Sequence, residues 1–526
     1  MIRPISTLLT STPSTSSLLF SASSSSSFAG TAAPTSQNFS DSSTTMIQPD
    51  MEAFSNGFCT VSTEIPCASV SPDSVTGTIP LDLMGTYYKV GPTMFTAGSL
   101  PPPANSAVKP KDSKLVLDGE DSNRMVKHPF DADGAMFAIT FGQSQPKKDE
   151  EGQQGESSDT GVTYRYRYIC TVAFDKERKK GTRLYNAMDT TRSMADIGLG
   201  NDYPLPLLRH HLQPGLNKQR KNTSNTGVIH WNKKLLSLWD GGLPYKLDSL
   251  ALSTEGSSQM GGVLKSDTPL SSKYVYDSKN SRVVFYANNP DSAGSKVTIY
   301  EFNSRFKLVD GSKTEWKIPG YALLSEGFAV TSDSWNVFIQ PPVVVDQLQY
   351  MMSKDPGKSL SVDERASATL HLIPRLTTNG GKHKELISLS IPLDTYGPEA
   401  NSQCINAFEE DGGATVVVDL IRSDRRHIPA GKKYAPKTWP WMKTLEEYSS
   451  FSSKKSLWRY RINVKDGTIT KLCLSDFQTY FGGVNPAVSG QRHTFIYTAV
   501  GRMGSQVAPP QGIMKIDCDS KNTEVG

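Results

Sequence analysis

The chain has 526 residues, 37% of them hydrophobic and 21% charged, and a formal net charge of +4 at pH 7. That length accommodates two or three ordinary domains or one large β fold, and a nearly neutral balance argues against a nucleic-acid or strongly acidic partner. No apolar run approaches the roughly 20 residues a membrane-spanning helix needs, so any contact with lipid is expected to be peripheral.

The first fifty residues stand apart. "STLLTSTPSTSSLLFSASSSSSFAG" is dominated by Ser and Thr, Arg3 is the only basic residue of the first fifty, and no acid precedes Asp41. Such a stretch cannot bury enough surface to offset its chain entropy. Ser-rich, acid-poor composition suits a transit peptide, and the scarcity of Arg favours a plastid over a mitochondrion. The step "SSFAGTAAP" resembles the processing motif of plastid preproteins in algae with complex plastids. Residues 1–55 are therefore expected to form a disordered targeting segment, an ordinary disordered tail being the alternative.

From about Ile79 the punctuation becomes regular. Short runs rich in Val, Ile, Tyr and Phe alternate with Asp-Gly, Asn-Gly or Gly-Gly steps, as in "KNSRVVFYA", "LVDGSKTEWKI", "EDGGATVVVDLI" and "RINVKDGTITKLCL". Each pairs two-residue alternation or an apolar core run with hairpin chemistry. Sustained over so long a chain, with few helical stretches, this predicts an all-β protein built by radial repetition, a β-propeller. The repeats share no consensus, which argues against the WD40 and kelch kinds. Three inserts break the rhythm: Gly142 to Asp159, Val343 to Ala368 with a candidate helix at Val345 to Met352, and Arg425 to Lys455. They are expected on one face, as cover for an axial site or as decoration.

Catalytic signatures are scarce: GxSxG, HExxH, the Walker loop and a strand-to-helix GxGxxG are all missing. Six scattered cysteines (Cys59, Cys67, Cys170, Cys404, Cys473, Cys518) lack a CxxC pair and read as reduced thiols rather than a disulfide frame or zinc site. Of the eight histidines (His128, His210, His211, His230, His371, His383, His427, His493), only two are neighbours.

Several ordered stretches nevertheless resemble the carotenoid cleavage dioxygenases, or carotenoid oxygenases. "IPLDLMGTYYKVGPTMF" is similar to the family's L-x-G-x-Y-x-R-N-G-P-N element, and "HPFDADGAMFAITF" to H-x-F-D-G-D-G-M-x-H-A. "YRYRYICTVAFDKERKKGTRLY" matches the strand and basic segment that follow. "NTSNTGVIHWNKKLLSLWDGGLPYKLD" resembles N-T-A-N-T…LLALWEGGxPY. The resemblance runs from about Pro80 to Asp519 and implies a seven-bladed propeller over residues 56–526. It also implies Fe(II) held on the axis by four histidines, three of them hydrogen-bonded to glutamates, and cleavage of one polyene double bond by O2 into two carbonyl products. Imidazole suits iron, and open metal positions are where O2 must enter.

Carried over position by position, the ligands change. S-A-H-P-x-x-D-P matches "SSKYVYDS", placing Lys273 at the first ligand and keeping Asp277. H-D-F-A-x-T matches "EGFAVT", where Glu326 stands at the second and Phe328, Ala329 and Thr331 are kept. H-x-x-N-A-x-E-E matches "QCINAFEE": Asn406, Ala407, Glu409 and Glu410 remain, with Gln403 at the third. The fourth ligand is expected beyond Gly526, which also leads to the expectation of an incomplete last blade. Of the supporting glutamates, one position holds Asp240 and another Tyr480. A shorter carboxylate or a phenol cannot make the same charged hydrogen bond to imidazole.

Lys273, Glu326 and Gln403 are thus expected to converge as one ion pair and an amide rather than as an iron site, with Fe2+ the cofactor only if catalysis persists. The leading expectation is a catalytically impaired member that binds a carotenoid or apocarotenoid. The alternatives are an active dioxygenase with an unusual metal site and a propeller scaffold for protein contacts.

Overall fold

The computed structural model describes residues 49–80, 82–95, 126, 129–142, 160–180, 184–185, 220–290, 294–322, 324, 326–346, 360–363, 365–378, 385–394, 401–423, 442–503, 506–519 and 523–525. Its strands form six four-stranded antiparallel sheets. The first takes β1 (Ile65–Ser69), β2 (Gly85–Met94), β3 (Asp133–Phe141) and β4 (Val162–Tyr168), in the order β1-β4-β3-β2. The second runs in chain order through β5 (Gly227–Trp231), β6 (Lys234–Leu238), β7 (Tyr245–Leu247) and β8 (Thr254–Ser257). The third is β9 (Leu270–Asp277), β10 (Arg282–Asn289), β11 (Ser295–Asn303) and β12 (Thr314–Ile318). In the fourth, β13 (Phe328–Val330) and β14 (Trp335–Gln340) are followed by a separate ribbon of β15 (Val343–Val345) and β16 (Leu360–Val362), then by β17 (Thr369–Pro374) and β18 (Ile387–Ser390). The fifth comprises β19 (Asn401–Glu410), β20 (Thr415–Ser423), β21 (Lys455–Asn463) and β22 (Ile469–Ser475). The sixth comprises β23 (Thr479–Gly483), β24 (Phe495–Met503), β25 (Gln506–Asp517) and β26 (Thr523–Val525).

One edge strand of each sheet touches its counterpart in the next: β2 meets β5, β5 meets β9, β9 meets β13, β13 meets β19, and β19 meets β23. These are the inner strands of propeller blades. The reason for radial packing is visible in β10. Because side chains alternate across a strand, Val283, Phe285 and Ala287 pack toward the second sheet with Leu236 and Leu238. Val284 and Tyr286 pack toward the fourth with Phe328 and Phe338. A strand apolar on both faces needs a sheet on each side. The fourth and fifth sheets share a core of the same kind, with Trp335, Val337 and Leu370 facing Val416, Val418 and Tyr460.

Two expectations are corrected. Among the described residues there are six four-stranded blades rather than seven. The count of seven was implied by the family resemblance, since hairpin signals do not say how strands group, and here β15 and β16 pair only with each other. The final blade is also not short of strands, since β26 completes it through Met514↔Val525 and Ile516↔Thr523. A three-residue closing strand is too brief to show alternation in the sequence.

Helix α1 (Met51–Asn56) begins inside the segment expected to be disordered, with the Asp50 carboxylate accepting from the Ala53 amide at 2.8 Å as its N-cap. Met51 buries against Met442 and Tyr448. Residues 1–48 lie outside the described residues, as do most of the Gly142 to Asp159 insert and residues 347–359. In the candidate helix at Val345 to Met352, Val345 itself ends strand β15. Helix α2 spans Val172–Lys180, and α3 (Leu445–Phe451) lies in the third insert. No helix among the described residues is long and apolar enough to cross a membrane.

Candidate functional site

Lys273 lies on β9, Glu326 two residues ahead of β13, and Gln403 on β19, so three successive inner strands present them. Lys273 Nζ stands 3.7 Å from Glu326 Oε2 and donates to the Cys404 carbonyl at 3.1 Å. Gln403 Nε2 donates to the same Glu326 oxygen at 3.2 Å. The backbone fixes this meeting point, for the Cys404 amide donates to the Glu326 carbonyl at 2.9 Å. The trio is only partly sealed, with 21% of the Lys273 side chain and 12% of the Glu326 side chain exposed.

Asp240 acts one step back. Its Oδ1 accepts from the Ser272 amide at 2.7 Å and the Ser271 hydroxyl at 3.1 Å, while Ser271 Oγ accepts from the Lys273 amide at 3.1 Å. Asp240 therefore anchors the start of β9 and sets where Lys273 emerges. Tyr480 faces other partners. Its hydroxyl donates to the Ala508 carbonyl at 2.6 Å and meets the Tyr448 hydroxyl of α3 at 3.1 Å, and burial pushes its phenol well above the ordinary tyrosine range.

The kept residues of "QCINAFEED" tie strands together. Glu409 Oε1 accepts from Thr331 Oγ1 at 2.5 Å and the Ser334 amide at 2.8 Å, and its Oε2 accepts from Ser334 Oγ at 3.0 Å. The carboxylate thus braces the turn between β13 and β14. Glu410 pairs with Arg461 at the rim. Asn406 donates to the Gln491 carbonyl at 2.9 Å and accepts from the Gly490 amide at 2.8 Å.

Iron does not fit the trio. A ligand must offer a lone pair, but lysine as an ammonium has only donors, and those of Lys273 face Glu326 and a carbonyl. The Gln403 amide presents its NH2 to the shared carboxylate. Glu326 alone is a competent donor, and one carboxylate falls far short of a four-imidazole site.

A second cluster escaped the sequence reading. Among the described residues, ligand atoms of Asp419, His493 and Cys518 gather within 4.8 Å of one another, all buried. Both Asp419 oxygens are taken by Arg459, at 2.8 and 2.9 Å, with His493 Nε2 2.9 Å from Oδ2. Burial alone would raise the Asp419 carboxyl, but the Arg459 guanidinium and His493 outweigh it and hold it below the usual range. Burial pushes the Cys518 thiol up to about 12. A guanidinium on the carboxylate and a protonated thiol describe a brace between the fifth and sixth blades, not a cation site. The one hint in the sequence was Asp419 interrupting "TVVVDLI".

The other described histidines serve locally. His230 stacks on Tyr88, and His371 lies between Ser388 and Gln340. His128, His210, His211, His383 and His427 lie outside the described residues.

Known proteins resemble this chain in sequence and fold. The family described as RPE65, retinal pigment epithelial membrane protein, matches residues 58–526. The apocarotenoid-15,15'-oxygenase of Synechocystis is 25% identical over 461 residues, covering 85% of this chain and 76% of that protein. The chloroplastic carotenoid cleavage dioxygenase 7 of rice is 23% identical over 521 residues, covering 86% and 75%. The solved structure of the cobalt-substituted Synechocystis enzyme superposes with a TM-score of 0.69 at 22% identity, covering 91% of this chain and 84% of that one, a likeness of fold. The chain belongs to the RPE65/carotenoid oxygenase family.

Proposed function

We propose that this chain binds a carotenoid or apocarotenoid and does not cleave it. The observation that carries the reading is the Lys273–Glu326 pair, 3.7 Å apart with Gln403 on the same carboxylate, at the three positions that match the family's iron ligands. A cation already occupies the place where an iron site would need neutral imidazole. The relatives named for action on carotenoids and apocarotenoids supply the ligand class. The ligand is hydrophobic, so its transfer takes place by peripheral contact with a membrane, and the Ser-rich residues 1–55 direct the chain to a plastid.

The deciding experiment loads the purified full chain with ferrous iron anaerobically, measures bound metal, and then incubates it with β-carotene and apocarotenals in air. The expected result is no stoichiometric iron and no aldehyde products, with polyene binding retained. One iron per chain together with new aldehydes would restore the active dioxygenase. A chain that binds no polyene at all would be a scaffold.

A further inference from the structure

We infer that Lys273 condenses with the aldehyde end of an apocarotenal to form an imine, with Glu326 as its counter-ion. The inference rests on the polyene-binding reading above and narrows its ligand to an aldehyde.

Among the described ion-paired lysines, Lys273 holds a distinct position. Lys246, Lys279 and Lys296 pair with acids on the open surface. Lys221 is sealed between Asp133 and Glu177 at 2.6 and 2.7 Å, beyond the reach of a ligand. Lys471 is half-buried but sits on β22, an outer strand. Lys273 alone of these combines an inner strand with a side chain that is 21% exposed.

The local contacts suit the reaction. The 3.7 Å separation from Glu326 is wider than the 2.5–2.7 Å of several other lysine pairs in the chain, so Nζ is close to a carboxylate without being locked onto it. Glu326 can take a proton from the ammonium as the amine attacks and return it to the oxygen that leaves. The carbonyl carbon forms a bond to Nζ, the C=O bond breaks, and one water departs. An ammonium and an aldehyde thus become an iminium and water, with atoms and charge conserved. Since the cation persists, the charge balance at Glu326 is the same before and after. An ammonium has three N–H donors and a protonated imine one. That one can stay with Glu326, whose carboxylate Gln403 Nε2 continues to hold at 3.2 Å.

The test uses the full chain, all-trans retinal as the aldehyde and all-trans retinol as a probe of equal length that cannot condense. With sodium borohydride, which delivers hydride to the imine carbon, the peptide carrying Lys273 is expected to gain the mass of retinal less one oxygen. Before reduction the bound retinal should absorb at longer wavelength than free retinal, because a protonated imine draws electron density along the polyene. Lys273→Arg should lose the adduct yet still bind retinol by tryptophan quenching, which also shows that the variant is folded. Glu326→Gln should return the absorption toward shorter wavelength as the imine loses its proton. Retinal that binds without a borohydride-dependent adduct, or an adduct spread equally over other lysines in wild type and Lys273→Arg, overturns the imine and leaves the binding reading intact. Failure of both retinal and retinol to bind overturns the binding reading and the imine with it.

Discussion

Arg375 Nη1 lies 2.7 Å from Asp277 Oδ2, and neither side chain has any exposure to solvent. The same guanidinium donates from Nε and Nη2 to the two oxygens of Glu301, each at 2.9 Å, and from Nη1 to the Thr331 carbonyl at 2.7 Å. Asp277 and Glu301 belong to the third blade, and Arg375 follows β17 of the fourth. Asp277 is a kept residue of the motif that carries Lys273, and its work is to join blades. Removing one partner of a buried pair leaves an uncompensated charge at a cost of roughly 3–5 kcal/mol. Arg375→Met takes the guanidinium from Asp277, while Glu301 keeps Arg282 at 2.7 Å, and should therefore lose roughly that much in urea unfolding. A loss below about 1 kcal/mol, the range of exposed pairs, would remove the pair from the fold's main supports.

His371 predicts a dependence on pH. Gln340 Oε1 can only accept, so His371 Nε2–H donates to it at 2.8 Å and Nδ1 accepts from the Ser388 hydroxyl at 2.8 Å. Burial pulls the imidazole from 6.5 down to about 4. Between those values the unfolded chain binds the extra proton and the folded chain does not, so stability rises with pH. The contribution is whole above about 6.5, fades as the pH falls toward about 4, and is flat below. At 1.36 kcal/mol per pKa unit its ceiling is about 3 kcal/mol. Urea unfolding of wild type and His371→Gln across this window should give a difference that shrinks as pH falls. A constant difference would assign the wild-type slope to other groups.

The β class and the run of hairpins were legible because alternation and turn residues are local properties. "RVVFYANN" announces a strand apolar on both faces, and β10 is packed on both. The number of blades was not legible, because which hairpins share a sheet depends on pairing between distant strands. Lys273, Glu326 and Gln403 could be picked out by motif position. What the motifs could not give was the exchange of contacts, such as Lys273 reaching the Cys404 carbonyl across 131 positions of sequence. Nor could they give the brace at Asp419, whose partner His493 sits in "GQRHTF" with no surrounding signature. Glu409 is instructive for the opposite reason. Its place in an iron-ligand motif suggested a site, while its oxygens cap the Thr331–Ser334 turn.

Gly327, beside Glu326, gives a test of how tightly the candidate site is positioned. Its carbonyl accepts from the Ile339 amide at 2.7 Å, and a Cβ built on it would lie 2.5 Å from the Ile339 carbonyl oxygen. That neighbour is backbone held in β14, which pairs on one side with β13 and on the other with β17, so it cannot turn aside as a side chain would. Gly327→Ala must then push the chain ahead of β13 outward and carry Glu326 away from Lys273 and Gln403. Overpacking of this kind costs typically 1–3 kcal/mol. Gly91, half-buried on β2, provides the control, since a Cβ there meets nothing within 4 Å, and a change that makes neither a clash nor a cavity is expected to stay within about 0.5 kcal/mol. Urea unfolding should separate the two alanine variants by at least about 1 kcal/mol, the lower end of the overpacking range. In retinal labelling, Gly327→Ala should lower the adduct on Lys273 while Gly91→Ala leaves it unchanged. Equal stability and equal labelling of the two would mean that the chain ahead of β13 gives way freely, and that Glu326 is not held in place by its attachment to that strand.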